Sequence, residues 1–190
     1  ITDGLGFNST LLKLDLTRCV LGDGGVSIVA QTLSSRNTTL QKLTLEGDCV
    51  TCTGVGVLLE TMEHSSHIAD LDLQRNRIGN EGASLLAGSL GNNALPNLTN
   101  LSLYDCGIGD DGFIALVSAL EQNTSLLQLD LRYNKNVTER TFVALAESLL
   151  EIKVLQRFYL DWWTELASVM PLLLAGLRKN TILFRFHVGG

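Results

Sequence analysis

The chain has 190 residues, 45% of them hydrophobic and 18% charged, with a formal net charge of −6. That composition excludes disorder and fits a single folded domain. Its 14 Lys and Arg residues form no run, which argues against nucleic acid or an anionic membrane as partner. The most apolar stretch, 166–177, is only 12 residues long and contains Pro171, too short to cross a bilayer.

Taken in chain order, seven units open with the spacing L-x-x-L-x-L. They are Leu11/Leu14/Leu16, Leu40/Leu43/Leu45, Ile68/Leu71/Leu73, Leu98/Leu101/Leu103, Leu126/Leu129/Leu131, Leu155/Phe158/Leu160 and Leu183/Phe186/Val188. Successive units start 29, 28, 30, 28, 29 and 28 residues apart. Alternation of the last two apolar positions predicts a strand with one buried face. Three residues beyond each strand stand Cys19, Asp48, Asn76, Cys106, Asn134 and Trp163, where the chain must turn and its peptide groups need partners. A helix follows each of the first six strands, with apolar residues at i, i+3, i+4 and i+7. These begin at Val26, Val55, Ala83, Phe113, Phe142 and Met170.

At these positions the sequence resembles the leucine-rich repeat family. The turns "LGDGG" (21–25), "IGNEG" (78–82) and "IGDDG" (108–112) resemble its ribonuclease-inhibitor-like subtype more narrowly. The expected fold is an α/β curved solenoid, a horseshoe of about six strand–helix repeats with a parallel concave sheet and outer helices. One such unit cannot bury its own apolar face, so the units must stack. Residues 1–190 read as one repeat domain, with strands starting near 11, 40, 68, 98, 126, 155 and 183, and as a fragment of a longer protein. Two units depart from the pattern. Residues 132–140 carry one extra residue before the helix, predicting a bulged loop, and residues 160–171 lose the turn glycines, so Pro171 predicts a late helix start.

Few residues suggest chemistry. Cys49, Cys52, His64 and His67 approach a zinc-binding spacing, but in the repeat register a helix of about 15 Å separates the two halves. Cys19 and Cys106 hold equivalent positions three coils apart, about 14 Å, too far for a disulfide. They are expected to be buried and reduced, which favours an intracellular, cytoplasmic setting. Tripeptides N-x-S/T occur at Asn8, Asn37, Asn97, Asn100, Asn123 and Asn136, and those at 8, 37 and 123 directly precede a strand leucine, where Asn serves the turn. There is no nucleophile motif or phosphate loop, so the chain reads as no enzyme, with no cofactor and no metal.

Function is expected on the concave sheet, where alternate strand residues form columns. The first column runs Lys13, Lys42, Asp70, Asn100, Gln128, Arg157, Arg185 and the second Asp15, Thr44, Asp72, Ser102, Asp130, Tyr159, His187. The third runs Thr17, Glu46, Gln74, Tyr104, Arg132, Asp161, with a rim of Arg18, Gly47, Arg75, Asp105, Tyr133 and Trp162. Asp15, Asp72 and Asp130 make an acidic stripe on alternate coils, readable simply as solvated polar groups. Tyr, Trp and Arg bury large areas while keeping a polar handle, the chemistry of interface hot spots. The expected partner-binding residues are therefore Arg75, Tyr104, Asp105, Arg132, Tyr133, Arg157, Tyr159, Asp161 and Trp162, although the rings, Trp162 above all, can also be read as local gap fillers. The expected partner is a protein or peptide. Ran GTPase-activating proteins share the repeat subtype, so a GTPase-activating or other regulatory domain is the alternative; the acidic tail of that family is missing here.

Overall fold

The computed structural model describes residues 8–35, 39–65, 67–161, 168–183 and 185–189. Strands β1 (Lys13–Asp15), β2 (Lys42–Thr44), β3 (Asp70–Asp72), β4 (Asn100–Ser102), β5 (Gln128–Asp130), β6 (Arg157–Asp161) and β7 (Arg185–Gly189) alternate with six helices. These are α1 (Gly22–Ser35), α2 (Cys52–Ser65), α3 (Gly79–Gly91), α4 (Asp110–Leu120), α5 (Glu139–Ser148) and α6 (Met170–Lys179). All seven strands lie in one sheet in chain order, each parallel to the next. The register aligns the middle apolar residue of every unit: Leu14, Leu43, Leu71, Leu101, Leu129, Phe158 and Phe186. Among the described residues each helix packs only against its neighbours in sequence, and so does each strand. This is an α/β solenoid.

The core is the set of apolar positions that the spacing singles out. All 20 helix positions of the first five units are buried, and so are the strand triplets of units two to six. The two ends differ. Leu11, Leu14 and Leu16 are only partly covered, as are Leu183 and Phe186. In α6, Leu173 is buried but Leu174, expected on the same apolar face, is 46% exposed. Met170 and Leu177 of the same stripe are partly buried against the core, so only Leu174 of the four stands exposed. It starts at Met170 with Pro171 in its first turn, as the proline requires.

Between the layers, the turn residues form a polar ladder. Asn76 accepts from the backbone N–H groups of Asp48 and Val50, both at 3.0 Å, and donates to the carbonyls of Leu45 and Leu73. Asn134 repeats this two coils later, accepting from Cys106 and Ile108 and donating to Leu103 and Leu131. An amide is suited to the place because it carries both donors and acceptors. Cys106 fills its ladder position with a weaker donor, its Sγ reaching the Leu73 carbonyl at 3.1 Å. Burial pushes this thiol up to about 12, so it is chemically quiet. Cys19 does not behave as expected: it is exposed. Its Sγ reaches Thr17 O at 3.9 Å.

A second device staples each coil to the next. The Asp or Asn that follows the first glycine of the turn motif caps the helix of the following coil. Asp23 accepts from Thr51 N, Thr51 Oγ1 and Gly54 N; Asn80 from Gly109 N and Gly112 N; and Asp110 from Thr138 N, Thr138 Oγ1 and Thr141 Oγ1. Burial opposes ionisation of Asp23 and Asp110, but these bonds outweigh it and hold both carboxyls below the usual range. Their contribution is present above about pH 4 and is lost as the pH falls through their lowered values.

Glycine is demanded by two different circumstances. Gly79 has φ +62°, a left-handed conformation that any Cβ disfavours. Gly112 is excluded from change by proximity: a Cβ there would lie 2.9 Å from Ala83 Cβ and from Asn80 Cα. Gly112→Ala is expected to push α4 off α3 and cost about 1–2 kcal/mol, seen as a lower midpoint in urea unfolding with the helical circular dichroism retained. A midpoint equal to that of the unaltered chain would contradict the close approach.

Candidate partner-binding surface

Each strand ends in a turn, and the turn decides what the surface presents. Asp15, Asp72 and Asp130 each accept from the backbone N–H two residues on, at 2.9, 3.0 and 3.1 Å, from Thr17, Gln74 and Arg132. The acidic stripe is therefore a row of turn-makers, of which Asp15 remains exposed, Asp72 is half-buried and Asp130 is buried. One residue further along, Arg18, Gly47, Arg75, Asp105 and Tyr133 all adopt left-handed backbone, with φ between 53° and 69°. Only glycine does so without penalty, and Asp tolerates it better than Arg or Tyr. The rim side chains thus leave the sheet at an angle that extended backbone would not give them.

On the later coils this geometry assembles a cluster. The rings of Tyr104 and Tyr133 lie 4.7 Å apart between centroids. The Arg132 guanidinium sits between two rings, 5.7 Å from the centroid of Tyr104 and 5.3 Å from that of Tyr159. Arg75 approaches the Tyr104 ring at 5.5 Å, and Lys135 approaches that of Tyr133 at 5.6 Å. Asp130 grips Arg132 through Nε and an outer nitrogen at 3.0 and 2.6 Å, and Glu46 pairs with Arg75. These bonds hold both guanidinium groups above their ordinary pKa, while partial burial, with Tyr133 beside it, pushes the Tyr104 phenol up. At neutral pH the Tyr104 phenol is therefore neutral and the guanidinium groups of Arg75 and Arg132 are held as cations. Each cation–ring contact is worth only about 0.5–1 kcal/mol at an exposed site, so their effect is to hold the cluster in one arrangement.

Of the residues expected at the site, Arg75, Tyr104, Arg132, Tyr133 and Tyr159 come together. Asp161 is close but buried, and it accepts from Tyr133 N at 2.9 Å, so it positions that tyrosine rather than presenting its own carboxylate. Arg157 is half-buried and outside the ring contacts, and Asp105 occupies the rim without joining them. Trp162 and the ladder residue Trp163 lie outside the described residues, as does Asn37. Lys135 escaped the sequence reading because it belongs to the extra-residue loop, which has no counterpart in the other coils. Of the N-x-S/T asparagines, Asn8 and Asn123 serve the turn: each accepts from the two backbone N–H groups that precede or begin the strand leucine, Thr10 and Leu11 in one case and Ser125 and Leu126 in the other. Cys52 opens α2, whose last turn carries His64. Among the described residues no three His, Cys, Asp or Glu are placed to hold a metal ion, and no helix is long and apolar enough to cross a membrane.

Repeat period, buried amide ladder and parallel strand order together define a leucine-rich repeat protein, and comparison with known proteins agrees. A leucine-rich repeat family profile matches residues 7–30, 64–87 and 94–117. The chain belongs to this family, in its ribonuclease-inhibitor-like form. It is 31% identical over 209 aligned residues to the mouse (Mus musculus) centrosomal protein of 78 kDa, covering 96% of this chain and 26% of that protein. Against the ribonuclease inhibitor of Sus scrofa it is 39% identical over 99 residues, covering 52% of this chain and 21% of the inhibitor. The chain thus spans about a quarter or less of the length of these relatives. Among solved structures it is similar to the tropomodulin C-terminal domain of Caenorhabditis elegans, with a TM-score of 0.61 at 15% identity, covering 77% of this chain and 90% of that one. That likeness concerns the fold alone.

Proposed function

We propose that this solenoid is a protein-binding module that holds a protein or peptide partner against the sheet face of its later coils, at Tyr104, Arg132, Tyr133 and Tyr159. One observation carries the reading. Tyr133 is 43% exposed and sits in a left-handed backbone, φ +62°, where Gly47 sits without strain in an earlier coil. A ring that merely fills a gap is not placed at an exposed position that costs about 1 kcal/mol or more of backbone energy. The fixed cluster also lowers the entropy lost on binding, since immobilising a free, rotamer-rich side chain costs about 0.5–1.5 kcal/mol. A family relative named as an inhibitor of ribonuclease offers a precedent for an array of this kind acting on a protein.

The test compares capture of partners from native extract, quantified by mass spectrometry, by the unaltered chain and by a Tyr104→Ala/Tyr133→Ala/Tyr159→Ala variant. The variant is expected to lose the specifically captured proteins. Tyr133→Gly alone separates binding from folding: it is expected to weaken capture while leaving stability unchanged or raised by up to about 1 kcal/mol. Identical capture by all three chains would move the binding surface elsewhere. Stimulation of GTP hydrolysis by an added GTPase would instead support the regulatory reading.

A further inference from the structure

Arg157 and Arg185 lie side by side on β6 and β7, paired in register in the first concave column. Adjacent parallel strands are about 4.8 Å apart, and like charges directly opposite one another repel. The same column treats charge differently in earlier coils: Lys42 faces Asp70 and binds its carboxylate at 3.0 Å. Around the two arginines the neighbouring acids are already committed, Asp130 to Arg132 and Asp161 to the Tyr133 backbone. The register partner of Arg157 on β5 is Gln128, which is neutral. Neither arginine forms an ion pair among the described residues, and the Arg157 Nε is shielded from water with no hydrogen-bond partner. All this occurs in a chain whose net charge is −6, so composition does not account for a positive patch.

From this charge pattern we infer that Arg157 and Arg185 form a carboxylate clamp for an acidic segment of a partner polypeptide, with Tyr159 and His187 in the adjoining column flanking the bound Asp or Glu. Guanidinium groups are suited to this, because their planar fork matches the two oxygens of a carboxylate. The inference rests on the concave-face reading above and adds the chemistry of the partner. Complementary charge of this kind contributes mainly to selectivity and to salt-sensitive association.

The probes are a short fluorescein-labelled peptide rich in glutamate and its glutamine counterpart, titrated by fluorescence anisotropy at low and high ionic strength. The glutamate peptide is expected to bind roughly tenfold tighter at low salt, with the preference shrinking as salt rises. Arg157→Gln/Arg185→Gln should abolish the preference; Arg185→Gln alone, at an exposed position, should reduce it without any risk to the fold. Tyr104→Ala/Tyr133→Ala, outside the clamp, should weaken both peptides alike and leave the preference, so a failure of the aromatic surface is distinguishable from a failure of the clamp. Equal affinity for the two peptides, no binding of the glutamate peptide, or a preference that survives the double arginine variant overturns the inference. So does a dimer in sedimentation that the arginine variant dissolves, which would assign the patch to a second copy, or binding of inorganic phosphate with indifference to peptide carboxylates.

Discussion

Asn134→Ala is expected to destabilise the chain by about 3–5 kcal/mol, the largest effect of any single substitution considered. The amide has two acceptor contacts, from Cys106 N and Ile108 N, and donates to the Leu103 and Leu131 carbonyls at 2.9 Å. All these backbone groups belong to two adjacent turns wrapped around a residue that is 2% exposed. Alanine leaves them facing one another across a hole. A buried polar group without a partner costs about 1–3 kcal/mol, and partial relaxation or an entering water keeps the total below a simple sum. The two turn residues before it, Arg132 and Tyr133, would lose their fixed backbone, so partner capture should fall with stability. Urea unfolding followed by circular dichroism at 25 °C measures the loss, and a thermal midpoint roughly 10 °C lower should accompany it. A loss under about 1 kcal/mol would mean that the ladder is not what holds the turns.

The same ladder contains a carboxylate where an amide would serve better, and Asp48→Asn is expected to stabilise the chain by about 2–3 kcal/mol at pH 7. Asp48 is fully buried, its Oδ1 accepts from Leu21 N at the long distance of 3.5 Å, and its Oδ2 has no hydrogen-bond partner. By repeat equivalence with Asn76, Oδ2 occupies the place from which an amide would donate to the carbonyls of Leu16 and Leu45. A carboxylate oxygen cannot donate there; a protonated one can. Burial accordingly raises the Asp48 pKa above the ordinary 3.8, only partly offset by backbone N–H groups of Leu21, Cys19 and Val20. The folded state thus binds this proton more tightly than the unfolded chain does. The stability linked to Asp48 is fully present below about pH 4 and is lost as the pH rises through its folded value. The gain from Asp48→Asn should therefore be large at pH 7 and small at pH 4. Asp72, also raised by burial, acts equally in both chains and cancels in the comparison. Paired denaturant titrations at the two pH values decide it; an equal difference at both, or a variant less stable at neutral pH, would refute the protonated-ladder account.

Sequence and structure part company over which backbone partner each polar side chain finds, within its own turn or one coil away. The acidic stripe looks the same in sequence whether or not its members fold back onto their own turns, as exposed Asp15 and buried Asp130 both do. Only the i to i+2 contacts of Asp15, Asp72 and Asp130 distinguish the two. Cys19 and Cys106 are equivalent in the repeat, yet one is exposed and one buried. Asp161 follows the concave alternation perfectly well but is claimed by a backbone N–H of the preceding coil, 28 residues away. The inter-coil caps Asp23, Asn80 and Asp110 stand inside the glycine turn motifs, but a capping partner one coil away leaves no local trace in the sequence.

The repeat period, the faces of strands and helices, the strand register and the twenty core positions of the first five helices follow from the amino-acid order by itself. They do so because a side-chain period of two or 3.6, repeated at nearly constant intervals, has one way to bury its leucines. Tertiary structure alone decided which polar residues remain available. It bent the rim backbone into the left-handed region, tied Arg132 to Asp130 and Arg75 to Glu46, and left Arg157 and Arg185 side by side with no ion pair among the described residues. The Arg75–Glu46 and Arg157–Arg185 placements depend on distances between coils about thirty residues apart, and the Arg132–Asp130 pair, two residues apart, on the turn that folds Arg132 back; the side-chain periods encode neither.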